Sequence, residues 1–197
     1  RMRIDSSGRV GIAITPPAWG SAYANINIGN TGALWGSKTA ASLTALSDNS
    51  FHNGSASIAR NTGAGSLYSQ SNGSHVWATF PSVSAGATQT ETARMRIDAS
   101  GNVGIGVVPE SDWNSVWSVV QVGNSAFAST SGNNQMSLSQ NAKLTTTSSN
   151  SGNKYIETEQ ASQYVQENGI HHFKVAPSGS ADAAITWTTA MTIKNDG

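Results

Sequence analysis

Short runs in which apolar and polar residues alternate recur along the whole chain. Met95-Arg96-Ile97-Asp98 alternates with a period of two, the pattern of a half-buried strand. Val103-Gly104-Ile105-Gly106 alternates again, with glycine on the second face. Ala99-Ser100-Gly101-Asn102 lies between them and supplies a turn, where glycine takes positive φ without steric cost. The pattern predicts a hairpin over 94–106 and another over 1–12. A glycine face also lets a second backbone approach closely, at a threefold axis for example, or marks a bulge. Further strands are expected at 24–28 and 118–122. The alternation His75-Val76-Trp77-Ala78-Thr79-Phe80 parallels His171-His172-Phe173-Lys174-Val175. Ala183-Ala184-Ile185-Thr186-Trp187-Thr188 reads as one more strand. Asn53-Gly54, Asn72-Gly73 and Asn168-Gly169 are hairpin-turn signals. One helical element is expected in each unit. Trp19 and Tyr23, like Trp113 and Trp117, are four residues apart behind prolines, the spacing of one helical turn, which Ser111 or Asp112 could cap.

The alternating phrase is itself repeated. Arg1 to Ile12 (RMRIDSSGRVGI) returns as Arg94 to Ile105 (RMRIDASGNVGI), and Ala190 to Gly197 opens it again. Met2 to Met95 is a step of 93 residues, and Met95 to Met191 is a step of 96. Between the copies, Tyr68, His75, Trp77 and Pro81 match Tyr164, His171, Phe173 and Pro177 at an offset of 96. A long fixed period implies tandem units. The expected divisions are an end hairpin at 1–14, a repeat unit at 15–107 and a second unit at 108–197. The chain opens and closes inside the phrase, which suggests a segment of a longer array.

Composition narrows the class. Eleven basic and eleven acidic side chains cancel, which leaves no electrostatic footprint for nucleic acid. No apolar run reaches the roughly 20 residues that span a bilayer, so no membrane insertion is expected. With no cysteine, neither disulfides nor thiolate metal sites hold the fold. Hydrophobic residues make up only 37%, so one unit alone should be marginally stable, and association between chains is the natural remedy.

Candidate chemistry is sparse. Glu157 and Glu159 form a carboxylate pair with no acidic counterpart in the first unit. His171 and His172 are adjacent, so on a strand they point to opposite faces and cannot share one metal. Rings of His75 or His171 in a trimer are a weaker reading than packed or solvated histidines. Trp19, Trp113 and Trp117 recur at matched positions, which assigns them to packing rather than to stacking on sugars. No catalytic, cofactor-binding or metal residue is assigned.

The phrase Met95 to Gly106 closely resembles the "MRIDSSGNVGIG" element of bacteriophage tail fibre proteins. Val122-Gly123-Asn124, Asn168-Gly169-Ile170-His171 and Ala183 to Met191 look like the interior of the same repeats. Arg9 and Ala13 depart from it, standing where the second copy has Asn102 and Gly106. The resemblance implies a virion appendage assembled in the host cytoplasm and acting outside the cell. It also implies an elongated, all-β homotrimer without enzymatic activity or cofactor. Its partners would be other virion tail proteins and a host surface receptor or glycan, touched in part through loops such as 52–66 and 145–153. Met2, Ile4, Val10, Ile12, Met95, Ile97, Val103 and Ile105 are the expected oligomer core. A tailspike-like polysaccharide-degrading enzyme and a bacterial adhesin stalk are the competing readings. The first needs a groove of convergent carboxylates, and the second needs heptads and an anchor.

Overall fold

The computed structural model describes residues 1–39, 42–130, 132 and 134–196. Gly197, the last residue of the third phrase, lies outside them. The described residues are all β, with no helix. The chain divides into two compact units, Arg1–Ala99 and Ser100–Gly197.

The first unit contains β1 (Met2–Ile4), β2 (Val10–Ile12), β3 (Tyr23–Ile28), β4 (Gly32–Ser37), β5 (Leu43–Asp48), β6 (Ser50–His52), β7 (Ser57–Ala59), β8 (Gly63–Ser71), β9 (Ser74–Val83), β10 (Thr88–Gln89) and β11 (Thr92–Ile97). Its main sheet runs in the order β1-β2-β3-β4-β5-β8-β9-β11, and a small sheet runs β10-β7-β6. Every pair is antiparallel except β2 with β3. The parallel pair forces residues 13–22 to cross back over one sheet face. That crossing buries Trp19 against the sheet, where its indole Nε1 donates to Asn27 Oδ1 at 2.9 Å.

The second unit contains β12 (Val103–Ile105), β13 (Trp117–Val122), β14 (Ser125–Thr130), β15 (Gln135–Gln140), β16 (Ala142–Leu144), β17 (Asn153–Tyr155), β18 (Glu159–Glu167), β19 (Ile170–Gly179) and β20 (Thr188–Ile193). Its main sheet runs β12-β13-β14-β15-β18-β19-β20, and β16 pairs with β17. Again the first pair, β12 with β13, is parallel. Trp113 and Trp117 are buried beneath the crossing that precedes β13, and they cluster with Val119 and Leu144.

The expected helical turn is absent from both crossings, which correct that reading. Local N–H groups bond out to the small sheet instead of up a helix. Gly20 N donates to the His52 carbonyl and Asn114 N to the Leu144 carbonyl, each at 2.9 Å. Isolated turns remain, four-residue ones from Tyr23 N to the Gly20 carbonyl and from Trp117 N to the Asn114 carbonyl, and a three-residue one from Trp19 N to the Pro17 carbonyl. Prolines (Pro16 and Pro17 in the first crossing, Pro109 in the second) and the indole bonds hold the segments extended, and four-residue ring spacing is too weak a signal to override them.

Turn chemistry sets the corners. Asn72-Gly73 and Asn168-Gly169 both hold φ near +50° and then +77°, the primed hairpin turn. Asn53-Gly54 sits in a wider loop, where Asn53 Oδ1 accepts from the Ser55 and Ala56 amides. In the first phrase Asp5 closes the turn, with Oδ1 accepting from Ser7 N and Arg9 N and Oδ2 pairing with Arg9 Nε at 2.6 Å. At the ends of β5 and β15, buried Asn49 and Asn141 take φ of 51° and 56°. Each amide bonds two carbonyls and accepts one N–H, which brackets the next corner.

Candidate interaction face

The two faces of each main sheet differ in kind. One face is covered by the small strands and the crossing, and it carries small or polar side chains around a few large ones. In the first unit these include Asn25, Asn27, Ala33, Ala45, Ser47, Leu67, Ala78 and Phe80, all buried. The other face is uncovered and carries the large aliphatic and aromatic residues of the same strands.

Strand register aligns those residues into a row. In the first unit it runs Ile4, Val10, Ile26, Leu34, Leu46, Tyr68, Trp77, Met95, each directly opposite the next. In the second unit it runs Val103, Val120, Phe127, Leu138, Tyr164, Phe173, Met191. Strands lie about 4.8 Å apart, so seven intervals give a stripe of roughly 34 Å in the first unit. Ile26, Leu34, Leu46, Trp77, Phe127, Leu138, Phe173 and Met191 are all more than a third exposed. A continuous uncovered stripe of that size is more than the singly scattered apolar residues of an ordinary protein surface.

The expected core residues fall on this face or beside it. Ile4, Val10, Met95 and Val103 lie in the row. Met2 and Ile12 lie in the adjacent row with Ile28, and Ile105 pairs with Val122 in the equivalent place. Met2 is 69% exposed, Ile4 63%, Ile12 42% and Ile105 43%, so none of these four is buried within its own unit. Ile97 is half-buried and stands opposite His75. The central residues from Ile26 to Trp77, and from Val120 to Phe173, were not anticipated. Their signal was present as the large member of each alternating strand, but alternation alone does not say which face is covered.

The row has a polar margin built the same way in both units. The Tyr68 hydroxyl meets His75 Nδ1 at 2.7 Å, and Gln70 Nε2 donates to that hydroxyl at 3.1 Å. Tyr164, His171 and Gln166 repeat this with distances of 2.5 and 2.7 Å. The tyrosine and histidine rings stack in each case. His172 points the other way, toward Thr192 and 3.4 Å from Glu167. Glu157 and Glu159 are exposed, and Glu157 lies outside the strands.

Gly11 and Gly104 have an intrachain reason. A Cβ at Gly11 would lie 2.2 Å from the Ile14 carbonyl oxygen, and one at Gly104 would lie 2.3 Å from that of Val107. The backbone that approaches these glycines is the chain's own crossing, followed by the rings of Pro16 and Pro109.

The second unit holds one charge cluster behind its covered face. The Lys143 ammonium, 4% exposed, meets Glu110 at 2.8 Å, Asp112 at 2.9 Å and Asp182 at 2.6 Å. Burial pushes this ammonium down, but its bonds to the three carboxylates outweigh that and hold it well above the usual lysine range. Burial likewise pushes Asp112 up, and hydrogen bonds from Lys143 and Lys154 bring it below the ordinary range. Sequence reading missed this cluster because its four residues span more than seventy positions. Among the described residues, no group of three or more His, Asp or Glu could hold a metal ion.

Comparison with protein-family models, with curated proteins and with solved structures finds no match to this chain.

Proposed function

We propose that this chain is a structural repeat segment of a bacteriophage tail fibre, and that its uncovered apolar rows are where three copies meet. The reading rests on the sequence resemblance and on one structural observation. In both units the face left open carries an unbroken, in-register row of Ile, Val, Leu, Met and aromatic residues. The covered face instead mixes polar and small side chains with a few large ones. Leaving such a row in water forfeits about 25 cal/mol for each Å² of apolar surface. Closing it against copies of itself recovers that energy for modules whose own cores are small. Met2, Ile4, Val10, Ile12, Met95, Ile97, Val103 and Ile105 then belong to the shared core together with the central row residues. The role is mechanical: to span distance and carry host attachment, with other tail proteins and a host receptor or glycan as partners. No catalysis is assigned.

Light scattering at several protein concentrations tests this. A trimer that persists on dilution is expected, and Leu46→Asp with Leu138→Asp should dissociate it. A parent chain that stays folded as a monomer would overturn the proposal.

A further inference from the structure

Between the two layers of the first unit lies a cavity of about 220 Å³, lined by Tyr23, Trp35, Phe51, His52, Phe80 and Glu91 among others. We propose that this cavity receives an alkylammonium group, carried by a small molecule or by a surface polymer, with the aromatic walls and the Glu91 carboxylate as its holders. The inference is independent of whether the chain belongs to a fibre.

The walls suit a cation. Tyr23 and Trp35 meet edge to face with centroids 5.3 Å apart, and Tyr23 and His52 lie 5.0 Å apart. Aromatic faces attract ammonium groups through their quadrupoles, most strongly where water is thinned. His52 does not oppose this. Its Nδ1 accepts from Gly54 N at 3.1 Å, and burial pushes the ring below its ordinary range, which favours the neutral form.

Glu91 stands at the mouth without a counter-charge. Among the described residues it makes no hydrogen bond or ion pair, and its surroundings push the carboxyl above its ordinary range. Its side chain still reaches solvent, so it is a rim group that an entering cation meets first. On the small sheet, Gln89 stands opposite Ser57, which stands opposite His52. Gln89 is 3% exposed, and neither of its side-chain polar atoms has a partner.

The second unit shows what the same place becomes when it is filled. Leu144 stands for His52, Val165 for Ser69 and Trp187 for Glu91. Leu144 and Val165 are wholly buried. Polar groups in a sealed interior are costly unless bonded, and the first unit carries them where its cavity opens. Ser47, Ser50, Ser57 and Ser69 also line the cavity, so a sugar is the competing ligand that the test includes. The Ser47 hydroxyl is already spent, accepting from Trp35 Nε1 at 3.2 Å and donating to the Ser50 carbonyl at 3.0 Å.

The test titrates the full chain with choline, followed by tryptophan fluorescence and calorimetry. Saturable binding is expected, with 3,3-dimethylbutan-1-ol, the neutral isostere, weaker by at least about tenfold. Glu91→Gln, a change at an exposed position, should weaken choline by a similar factor. Ser69→Val should fill the cavity and abolish binding while melting no lower than the parent. The proposal fails if choline does not saturate, if the isostere binds equally, if glucose or galactose binds more tightly, or if either variant binds choline as the parent does.

Discussion

Replacing Lys143 with methionine keeps most of the side-chain volume and removes only the charge. Three carboxylates then face one another across a site built for an ammonium. Removing one partner from a buried ion pair usually costs about 3–5 kcal/mol. The acids here are partly hydrated, Asp182 at 71% exposure and Asp112 at 36%, so screening reduces the expected cost to about 2 kcal/mol. For a unit of this size, that lowers the thermal midpoint by roughly 8–16 °C, measured at matched protein concentration. The pH dependence follows from the directions of the shifts. Asp112 is held low in the folded state, so its contribution is complete above the unfolded aspartate value of about 3.9. It disappears as pH falls through the lower folded value. Lys143 is held high, so its contribution is complete below the unfolded lysine value of about 10.4 and is lost only as pH rises through the raised folded value. The gap between parent and variant should therefore be flat from about pH 5 to 9 and shrink below about pH 4. A Lys143→Met variant that melts with the parent at pH 7, or a gap undiminished at pH 3, would refute the reasoning.

The first unit supplies a control. Where the second has Lys143, Glu110, Asp112 and Asp182, the first has Phe51, Pro17, Ala18 and Gly86. The fourfold exchange Lys143→Phe, Glu110→Pro, Asp112→Ala, Asp182→Gly should restore most of the stability lost by Lys143→Met, as calorimetry would show. Ala13 takes φ of 60° where Gly106 takes 70°, so Ala13→Gly should raise stability by about 1 kcal/mol in denaturant unfolding. Asn141→Ala leaves two carbonyls and one amide without their bracket and keeps the left-handed backbone. A loss of about 2–4 kcal/mol is expected, and hydrogen exchange should show it first near Glu157 and Gln160.

Local chemistry was the legible part of this chain. The alternation located β1, β2, β11 and β12, and the Asn-Gly pairs marked the β8–β9 and β18–β19 turns. These are decided within a few residues by backbone sterics and side-chain direction. The Trp–Tyr spacing misled because a four-residue interval fits any loop whose rings share one core. What fixes the crossing is a set of bonds to β6 and β16, some thirty residues further on. The apolar row was half legible. Met95 and Ile97 read as one face of a strand, but the sequence does not reveal that the polar partners of Leu46 and Leu138, such as Ser47 and Ser139, are the buried ones. That inversion is set by the covering layer. The cavity and the Lys143 cluster were invisible for the same reason, since both lie between layers joined only by the fold.

Comparison of the two units separates these layers by how freely they vary. Along the open row each position keeps its character: Val10 and Val103, Ile26 and Val120, Leu34 and Phe127, Leu46 and Leu138, Tyr68 and Tyr164, Trp77 and Phe173, Met95 and Met191. Behind the sheet some matched positions are kept, such as Trp19 and Trp113, Ala33 and Ala126, Ser47 and Ser139, and Asn49 and Asn141, while others change in kind: Trp35 and Ala128, Phe51 and Lys143, His52 and Leu144, Leu67 and Gln163, Phe80 and Ala176. Close packing restrains buried positions, and an exposed row under no such restraint would be expected to vary freely. An exposed row that keeps its apolar character in both units is what a second, intermolecular core would produce. The interior is then free to exchange a ring for an ammonium with its three acids, or a sealed leucine and valine for an open cavity. Asp182 illustrates this. It holds a φ of 64° where the first unit uses Gly86 at 80°, a conformation that costs a side chain more than glycine, and its carboxylate lies 2.6 Å from the Lys143 ammonium.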